Sequence, residues 1–141
     1  PQDVRTTIHH DGVDSTASHT GYDHLPGRPK HERQVVVGES QPFMIRDRVT
    51  GTGTHTVAGG FLLGPEWIAE SIANGWLLKS GHQRLLVRIL GPEGLQCGVD
   101  SRPWHPDYGI EIMTQRLRWQ YHGQLPMEVS IRIAAAEEQT R

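Results

Sequence analysis

The sequence predicts an all-β fold, an antiparallel β-sandwich with short loops and at most one short helix. Sixteen Gly and nine Pro are spread along its 141 residues, and β-branched and aromatic residues cluster in short runs between them. Many short strands joined by tight turns have this composition. Several runs also alternate apolar and polar residues, which places one face of a strand in a core and the other in water.

Nine runs are expected to form strands. In the last run Val129, Ile131 and Ile133 share one side, and polar residues share the other. Residues 85–90 are more continuously apolar, which favours a central strand of a packed sandwich. The nine predicted strands are residues 31–37, 43–49, 55–63, 76–79, 85–90, 95–99, 110–113, 117–121 and 127–134.

Glycine-containing turns lie between these runs. Residues 50–53 (Thr-Gly-Thr-Gly), 91–94 (Gly-Pro-Glu-Gly) and 122–124 (His-Gly-Gln) are each expected to form a hairpin. An all-antiparallel meander would result. Residues 66–74 are ambiguous, because Ile68 and Ile72 stand four apart as on a helix while Gly75 would serve as a carboxyl cap. A short helix and an irregular edge strand both fit this segment.

The length is that of one domain that buries a core without disulfides or metals. Residues 1–17 are polar with few apolar anchors, so they predict an irregular leading segment. The β-sandwich is expected over residues 18–134. Residues 135–141 have helical propensity without an apolar stripe, which predicts a frayed tail.

The charge balance argues against two classes of partner. Fourteen Lys and Arg stand against sixteen Asp and Glu, with a formal net charge of −2. Such a chain has no basic field that would attract nucleic acid or an anionic membrane. No apolar run has the length of a membrane span, and residues 1–30 do not form a signal peptide. If the protein is exported, we expect its signal outside these residues.

Nine histidines suggest a metal site, but their spacing argues against one. His9 and His10 are adjacent, and an adjacent pair on an extended chain points to opposite faces. We therefore expect no metal and no cofactor in this chain. Gly51 and Gly53 fit a turn better than a phosphate cradle, since no Lys follows them. His55 is expected to make a local hydrogen bond at the start of a strand.

Aromatic side chains are the remaining candidates for function, because sugar rings stack on aromatic faces. Most aromatic residues of a small sandwich belong to its core. Tyr22 and Trp104 are favoured for carbohydrate contact, since they lie in Pro- and Gly-rich, loop-like surroundings.

Five short segments follow one another in a characteristic order. They are His-Thr-Gly-Tyr-Asp-His-Leu at 19–25, His-Glu-Arg at 31–33, Asp-Arg-Val-Thr-Gly-Thr-Gly-Thr-His at 47–55, Phe-Leu-Leu-Gly-Pro at 61–65 and Ser-Arg-Pro-Trp-His-Pro-Asp-Tyr-Gly at 101–109. In this order they resemble the carboxyl-terminal β-domain of the heparinase II/III-like polysaccharide lyases. Leu125-Pro126 before the last strand also fits, and the resemblance covers roughly residues 18–133.

The resemblance implies a functional context. Members of that family join an α/α toroid to β-sheet domains and cleave acidic, uronate-containing polysaccharides by β-elimination. The family's acid/base pair and metal ligands have no counterpart in this chain, so no catalytic residue is assigned. A metal ion in an upstream part would be consistent with the family. The candidates for carbohydrate contact are Tyr22, His31, Arg33, Trp104 and Tyr108. The first three match positions of the family, and for them a role in holding strands together is favoured over contact with sugar at a domain interface.

Two hypotheses follow from the resemblance. In the first, the chain is a non-catalytic module of a polysaccharide lyase that packs against an upstream toroid of the same protein and supports the substrate cleft. An apolar face left exposed would favour it. In the second, the chain is a free-standing β-sandwich that binds carbohydrate or another protein. If the parent lyase acts on external polysaccharide, a periplasmic or extracellular location is expected.

Overall fold

The computed structural model describes residues 1–136, which form eleven strands and no helix. All pairs of neighbouring strands are antiparallel, which confirms the predicted all-β sandwich. This part of the chain therefore also holds no helix suited to cross a membrane. The strands are β1 (Gln2–His9), β2 (Gly12–His19), β3 (Lys30–Gly38), β4 (Phe43–Thr50), β5 (Thr54–Leu62), β6 (Ile68–Ile72), β7 (Gly75–Ser80), β8 (Gln83–Leu90), β9 (Gln96–Trp104), β10 (Ile112–Gln124) and β11 (Met127–Ala135).

The strands form two sheets of unequal width. The large sheet has the order β1-β2-β3-β4-β11-β8-β7-β6, and the small sheet has the order β5-β10-β9. The core between them contains side chains from β4, β7, β8, β10 and β11, with Trp76, Val87 and Val129 at most 1% exposed. β8 lies between β11 and β7, so the prediction of a central strand over residues 85–90 is confirmed.

The three glycine-containing turns do not form hairpins, and the predicted meander is wrong at these points. β4 and β5 belong to different sheets, as do β8 and β9, and β10 and β11. Residues 50–53 and 91–94 therefore carry the chain from one sheet to the other, whereas residues 122–124 belong to the end of β10 and the crossing there lies at Leu125-Pro126. Turn chemistry indicates where the chain reverses, but the sheet that the next strand joins depends on long-range pairing.

Residues 1–17 form regular structure, contrary to the prediction of an irregular segment. β1 and β2 pair in a hairpin in which Thr7 lies opposite Asp14 and His9 lies opposite Gly12. Every residue of β1 is exposed, so this strand needs no apolar alternation. Backbone pairing and surface contacts hold it, among them the Lys30 ammonium at 2.9 Å from the Asp3 carboxylate.

The structure decides between the two alternatives for residues 66–74 and moves two other boundaries. The ambiguous segment forms the short edge strand β6, as one alternative predicted, and the turn after it places Asn74 at a positive φ of 58°. The strands predicted over residues 110–113 and 117–121 are one long strand, β10. Of the frayed tail predicted over residues 135–141, Ala135 belongs to β11, and residues 137–141 lie outside the described part.

The large sheet extends beyond the small one. Within residues 1–136 the core cluster draws no side chain from β1, β2 or β3. On the face of these strands that continues the core, Ile8 lies opposite Val13, and Val13 lies opposite Val37. Ile8 is 80% exposed, Val13 is 38% exposed and Val37 is 47% exposed. We call these three residues the apolar ladder, and nothing in the described part covers it.

Candidate functional site

A cleft of about 270 Å³ lies between the two sheets. β3 and β4 form one wall, β5 and β10 form the other, and the loop of residues 20–29 contributes Tyr22, Leu25 and Pro29. Gly27 attaches this loop to the 50–53 turn, because its carbonyl accepts the Thr52 amide at 3.1 Å. A Cβ atom at Gly27 would lie 1.9 Å from the Thr52 carbonyl oxygen, and φ there is +78°. Only glycine fits this contact.

Asp47 is the buried charge of the cleft, with a side chain 3% exposed. It lies on β4 between Ile45 and Val49 in the alternation that faces the core. Its Oδ1 accepts hydrogen bonds from Arg33 Nε and His31 Nε2, both at 2.7 Å, and its Oδ2 accepts one from Arg33 Nη2 at 3.0 Å. A buried carboxylate requires such partners, because burial without them is costly.

The electrostatics of Asp47 reflect a balance of opposing effects. Burial raises the pKa of the Asp47 carboxyl, but the hydrogen bonds from His31 and Arg33 and the Arg33 charge lower it by more. The pKa of Asp47 therefore lies below its ordinary value, and the group is an ionised carboxylate at neutral pH.

A chain of hydrogen bonds leads from Asp47 to the loop. His19 Nε2 lies 3.2 Å from His31 Nδ1, and the Gly21 amide donates to His19 Nδ1 at 3.2 Å. The Asp47 carboxylate only accepts and the Gly21 amide only donates. Each imidazole must therefore carry its proton on Nε2 for every bond to form. This assignment leaves both His19 and His31 neutral with all their ring nitrogens paired.

The structure brings three of the five predicted contact residues together. Tyr22, His31 and Arg33 all line the cleft. The Tyr22 ring lies 5.2 Å from the His19 ring, and the Tyr22 residue is 49% exposed. The Arg33 guanidinium carbon lies 5.6 Å from the centre of the Phe61 ring, within cation–π range. Contact of these residues with sugar stays a prediction.

Trp104 and Tyr108 lie elsewhere. Trp104 pairs with Ile112 at the start of β10, whereas Trp119, which lines the cleft, is seven residues further along that strand. The separation is roughly 23 Å along an extended strand. Tyr108 is fully exposed in the loop between β9 and β10. These two residues do not belong to the cleft.

Sequence reasoning missed Asp47 and Trp119 as members of the site. The signal for Asp47 was present, since an acid between Ile45 and Val49 in period-two alternation faces the core. Trp119 lies under Gly59, and its buried Nε1 has no hydrogen-bond partner among the described residues. His55 Nε2 donates to the Thr52 carbonyl at 3.0 Å, which confirms its predicted local hydrogen bond.

Metal binding needs several side chains that converge on one point. Within residues 1–136 no three His, Cys, Asp or Glu side chains converge as ligands. In the chain from His19 to Asp47 the ring nitrogens are engaged with one another, with the Gly21 amide and with the carboxylate. These groups position one another.

No protein-family model matches the chain, and no curated protein matches its sequence. Solved structures resemble its fold. A crystal structure of heparinase III matches with a TM-score of 0.77 and 16% identity over 98% of this chain. The heparan sulfate lyase HepC from Pedobacter heparinus matches with a TM-score of 0.75 and 12% identity over 96% of this chain. The chain spans only 22% of the length of each.

A second kind of enzyme shares the fold more distantly. A 4-alpha-glucanotransferase from Thermococcus litoralis matches with a TM-score of 0.58 and 10% identity over 92% of this chain and 22% of its own. The expected resemblance to heparinase-type lyases is thus confirmed as a likeness of fold, and at such identities the fold alone does not assign an activity.

Proposed function

We propose that this chain is a non-catalytic, carboxyl-terminal β-sandwich module of a larger polysaccharide lyase of the heparinase II/III-like type. It packs against an upstream α/α toroid domain of the same protein and supports the cleft that holds an acidic, uronate-containing polysaccharide. The sequence motifs and the fold support this proposal together, since the fold matches over nearly the whole chain but over only 22% of heparinase III.

The observation that carries the proposal is the uncovered apolar ladder. Ile8, Val13 and Val37 extend the core face of the large sheet beyond the small sheet. Apolar side chains aligned across three strands are stabilised when a partner covers them. A domain of the same protein placed there would bury the ladder as an inter-domain interface.

The chemistry of the cleft favours a structural role for its residues over a catalytic one. β-Elimination needs a base that takes the proton beside the uronate carboxylate and groups that stabilise the resulting charge. Asp47 is enclosed by hydrogen bonds from Arg33 and His31, and the latter is bonded to His19. This arrangement ties β2, β3 and β4 together beneath Tyr22, so it orders the loop that would face a bound sugar.

A second candidate function is favoured by the cleft itself. The cleft has a volume of about 270 Å³ and is lined by the exposed Tyr22 ring and the Arg33 guanidinium. Aromatic rings and guanidinium groups are side chains that contact sugars. This volume is slightly below the usual range of ligand clefts. A free-standing β-sandwich that binds carbohydrate, or one that binds another protein through the ladder, would use the same surfaces.

The mass of the native polypeptide separates these functions. An antibody raised against the 141-residue chain is used on a denaturing blot of the source cells. The proposal predicts a band several times heavier than the 15.8 kDa of this chain. A single band at 15.8 kDa would overturn it and favour the free-standing module, whose glycan binding would be measured next.

A further inference from the structure

The outer face of the small sheet carries an unbalanced group of arginines. Arg116 lies opposite Asp100, Arg118 lies opposite Gly98, and Arg102 lies two residues from Asp100 on β9. Leu117 and Trp119 of β10 are buried in the core. Because side chains alternate along a strand, the arginines and Asp100 lie on the opposite face, away from the core. We call Arg102, Arg116 and Arg118 the arginine face.

Only one of these arginines is fully engaged. Arg116 makes a two-point contact with Asp100, with Nε 3.0 Å from Oδ1 and Nη2 2.6 Å from Oδ2. Arg102 Nη2 and Arg118 Nε lie 3.7 and 3.9 Å from Oδ2, too far for hydrogen bonds. Three guanidinium groups thus surround one carboxylate, which leaves a formal surplus of two positive charges on a chain with net charge −2.

The same charges act on Asp100 itself. The hydrogen bond from Arg116 is the main cause that holds the pKa of the Asp100 carboxyl below its ordinary value. Asp100 is therefore ionised at neutral pH, and its two-point contact holds the Arg116 guanidinium in one orientation. Arg102 and Arg118 are 53% and 44% exposed and keep their donors for a ligand.

The backbone around Arg118 allows close approach. Gly60 on β5 and Gly98 on β9 lie directly opposite it on either side. The Arg118 guanidinium lies over Gly98, where a Cβ atom would be 3.0 Å from Nη2. The stem of Arg116 likewise lies near Gly60, where a Cβ atom would be 3.4 Å from Arg116 Cδ. The two glycines thus let the arginine side chains lie flat on the sheet, and a chain-like ligand can lie across them. Gln96 and Gln120, which face each other in the next outward row, add further planar hydrogen-bonding groups.

We infer that the arginine face is a second binding surface for a linear acidic polysaccharide, outside the cleft. Guanidinium groups bind carboxylates and sulfates through paired hydrogen bonds. Arg102 and Arg118 keep such donors free, and they lie on neighbouring strands, with Arg102 opposite Thr114, four residues before Arg118. Nucleic acid fits less well, because Trp104 is the one Phe, Tyr or Trp at an outward position of β5, β9 and β10, whereas successive bases stack on several such rings. The choice of ligand rests on the proposed function.

The test measures binding of the 141-residue chain to heparan sulfate, to alginate and to neutral dextran. The first polymer offers sulfates and carboxylates and the second only carboxylates, so the two distinguish the anionic group. The variant is Arg102→Gln with Arg118→Gln. The matched control is Arg48→Gln with Arg132→Gln, which removes the same charge from exposed positions on the large sheet.

We expect the unmodified chain to bind at least one acidic polymer and not dextran. The arginine-face variant should bind at least about tenfold more weakly, while the control pair should change affinity by less than about twofold. Three results would overturn the inference: equal losses for both pairs, no binding of either acidic polymer, or tighter binding of single-stranded DNA of matched charge.

Failure of this inference is distinguishable from failure of the proposed function. A heavy native polypeptide whose module binds no acidic polymer through these arginines would contradict only the inference. A native band at 15.8 kDa with intact arginine-dependent binding would contradict only the proposal that the chain is a lyase module.

Discussion

Arg33 and Asp47 lie directly opposite each other on β3 and β4 and make a two-point contact, with Nε 2.7 Å from Oδ1 and Nη2 3.0 Å from Oδ2. The strand register thus places a guanidinium beside the one carboxylate that faces the core at this point. Together with His31 and His19, this pair joins three strands at the floor of the cleft. Its contribution to the fold can be measured apart from any function.

Replacing Asp47 with Asn removes the charge but keeps the shape of the side chain. Arg33 would lose a charged partner and His31 a charged acceptor, so the free energy of unfolding should fall by about 2 kcal/mol. Urea denaturation measures this change. Asp14→Asn is the control, since Asp14 accepts from Gln34 near the surface. Equal small changes in both variants would contradict the role given to Asp47.

Stability should also depend on pH through Asp47. Because the folded-state pKa of Asp47 is lowered, the unfolded chain binds this proton more readily than the folded one. The stability due to Asp47 is therefore complete above the unfolded pKa of about 3.9 and is lost as the pH falls through the folded pKa. Urea denaturation gives the free energy of unfolding of the unmodified chain and of Asp47→Asn at each pH. The gap between these two free energies should narrow below about pH 4. A difference that stays constant to pH 2 would refute this.

The hydrogen-bond chain predicts the tautomers of two histidines. At neutral pH both His19 and His31 should carry their proton on Nε2, since the Gly21 amide and the Asp47 carboxylate define the direction of the chain. Long-range proton–nitrogen correlation spectra report ring protonation directly. An Nδ1-protonated ring at either position would contradict the arrangement, and Asp47→Asn should alter the His31 signals first.

The contact between Gly59 and Trp119 allows a coupling test. A Cβ atom at Gly59 would lie 2.5 Å from Trp119 Cζ2, so Gly59→Ala should lower the free energy of unfolding by about 1–3 kcal/mol. In a Trp119→Phe background the smaller ring leaves room, and the cost of Gly59→Ala should fall. Equal costs in the two backgrounds would show that the contact does not limit packing.

Cys97 lies next to the arginine face and reports on its charge. Burial raises the pKa of the Cys97 thiol, while the Arg118 charge opposes the rise. Alkylation of the folded chain should therefore reach its half-maximal rate at a pH above 9.0, the ordinary thiol value. Arg118→Gln should move this midpoint higher. A midpoint below 9.0, or no response to the variant, would contradict the assignment.

The fold class and most strands were predictable because they depend on local patterns. Alternation located β11, and continuous apolar residues located β8 in the interior of the large sheet. The glycine turn at residues 50–53 marked a reversal, but whether β5 would pair with β4 or join the other sheet depends on partners about sixty residues away, such as Trp119 opposite Gly59.

The predictions failed where exposure removed the expected pattern. β1 packs against no core, so its sequence carries no alternation, although Val4, Thr6, Thr7 and Ile8 favour a strand and Asp11-Gly12 favours a turn. Giving those local preferences more weight would have predicted the hairpin.

The site was predictable in part for the same reason. The motif order led to Tyr22, His31 and Arg33, which do meet in the cleft. Their partner Asp47 required the register between β3 and β4, which no local pattern contains. Trp104 was favoured for its loop-like surroundings, and Tyr108 lies in the motif of residues 101–109. The structure places both near the start of β10, away from the cleft.

The most direct test of the lyase assignment is immunodepletion of a source-cell extract. An antibody against this chain removes every polypeptide that carries it, and eliminative cleavage of heparan-type polysaccharide, alginate and the cells' own exopolysaccharide is followed by the unsaturated product. The account predicts that depletion removes the cleavage of at least one of these polymers and that the recovered polypeptide restores it. Full retention of every eliminative activity in the depleted extract would contradict the account.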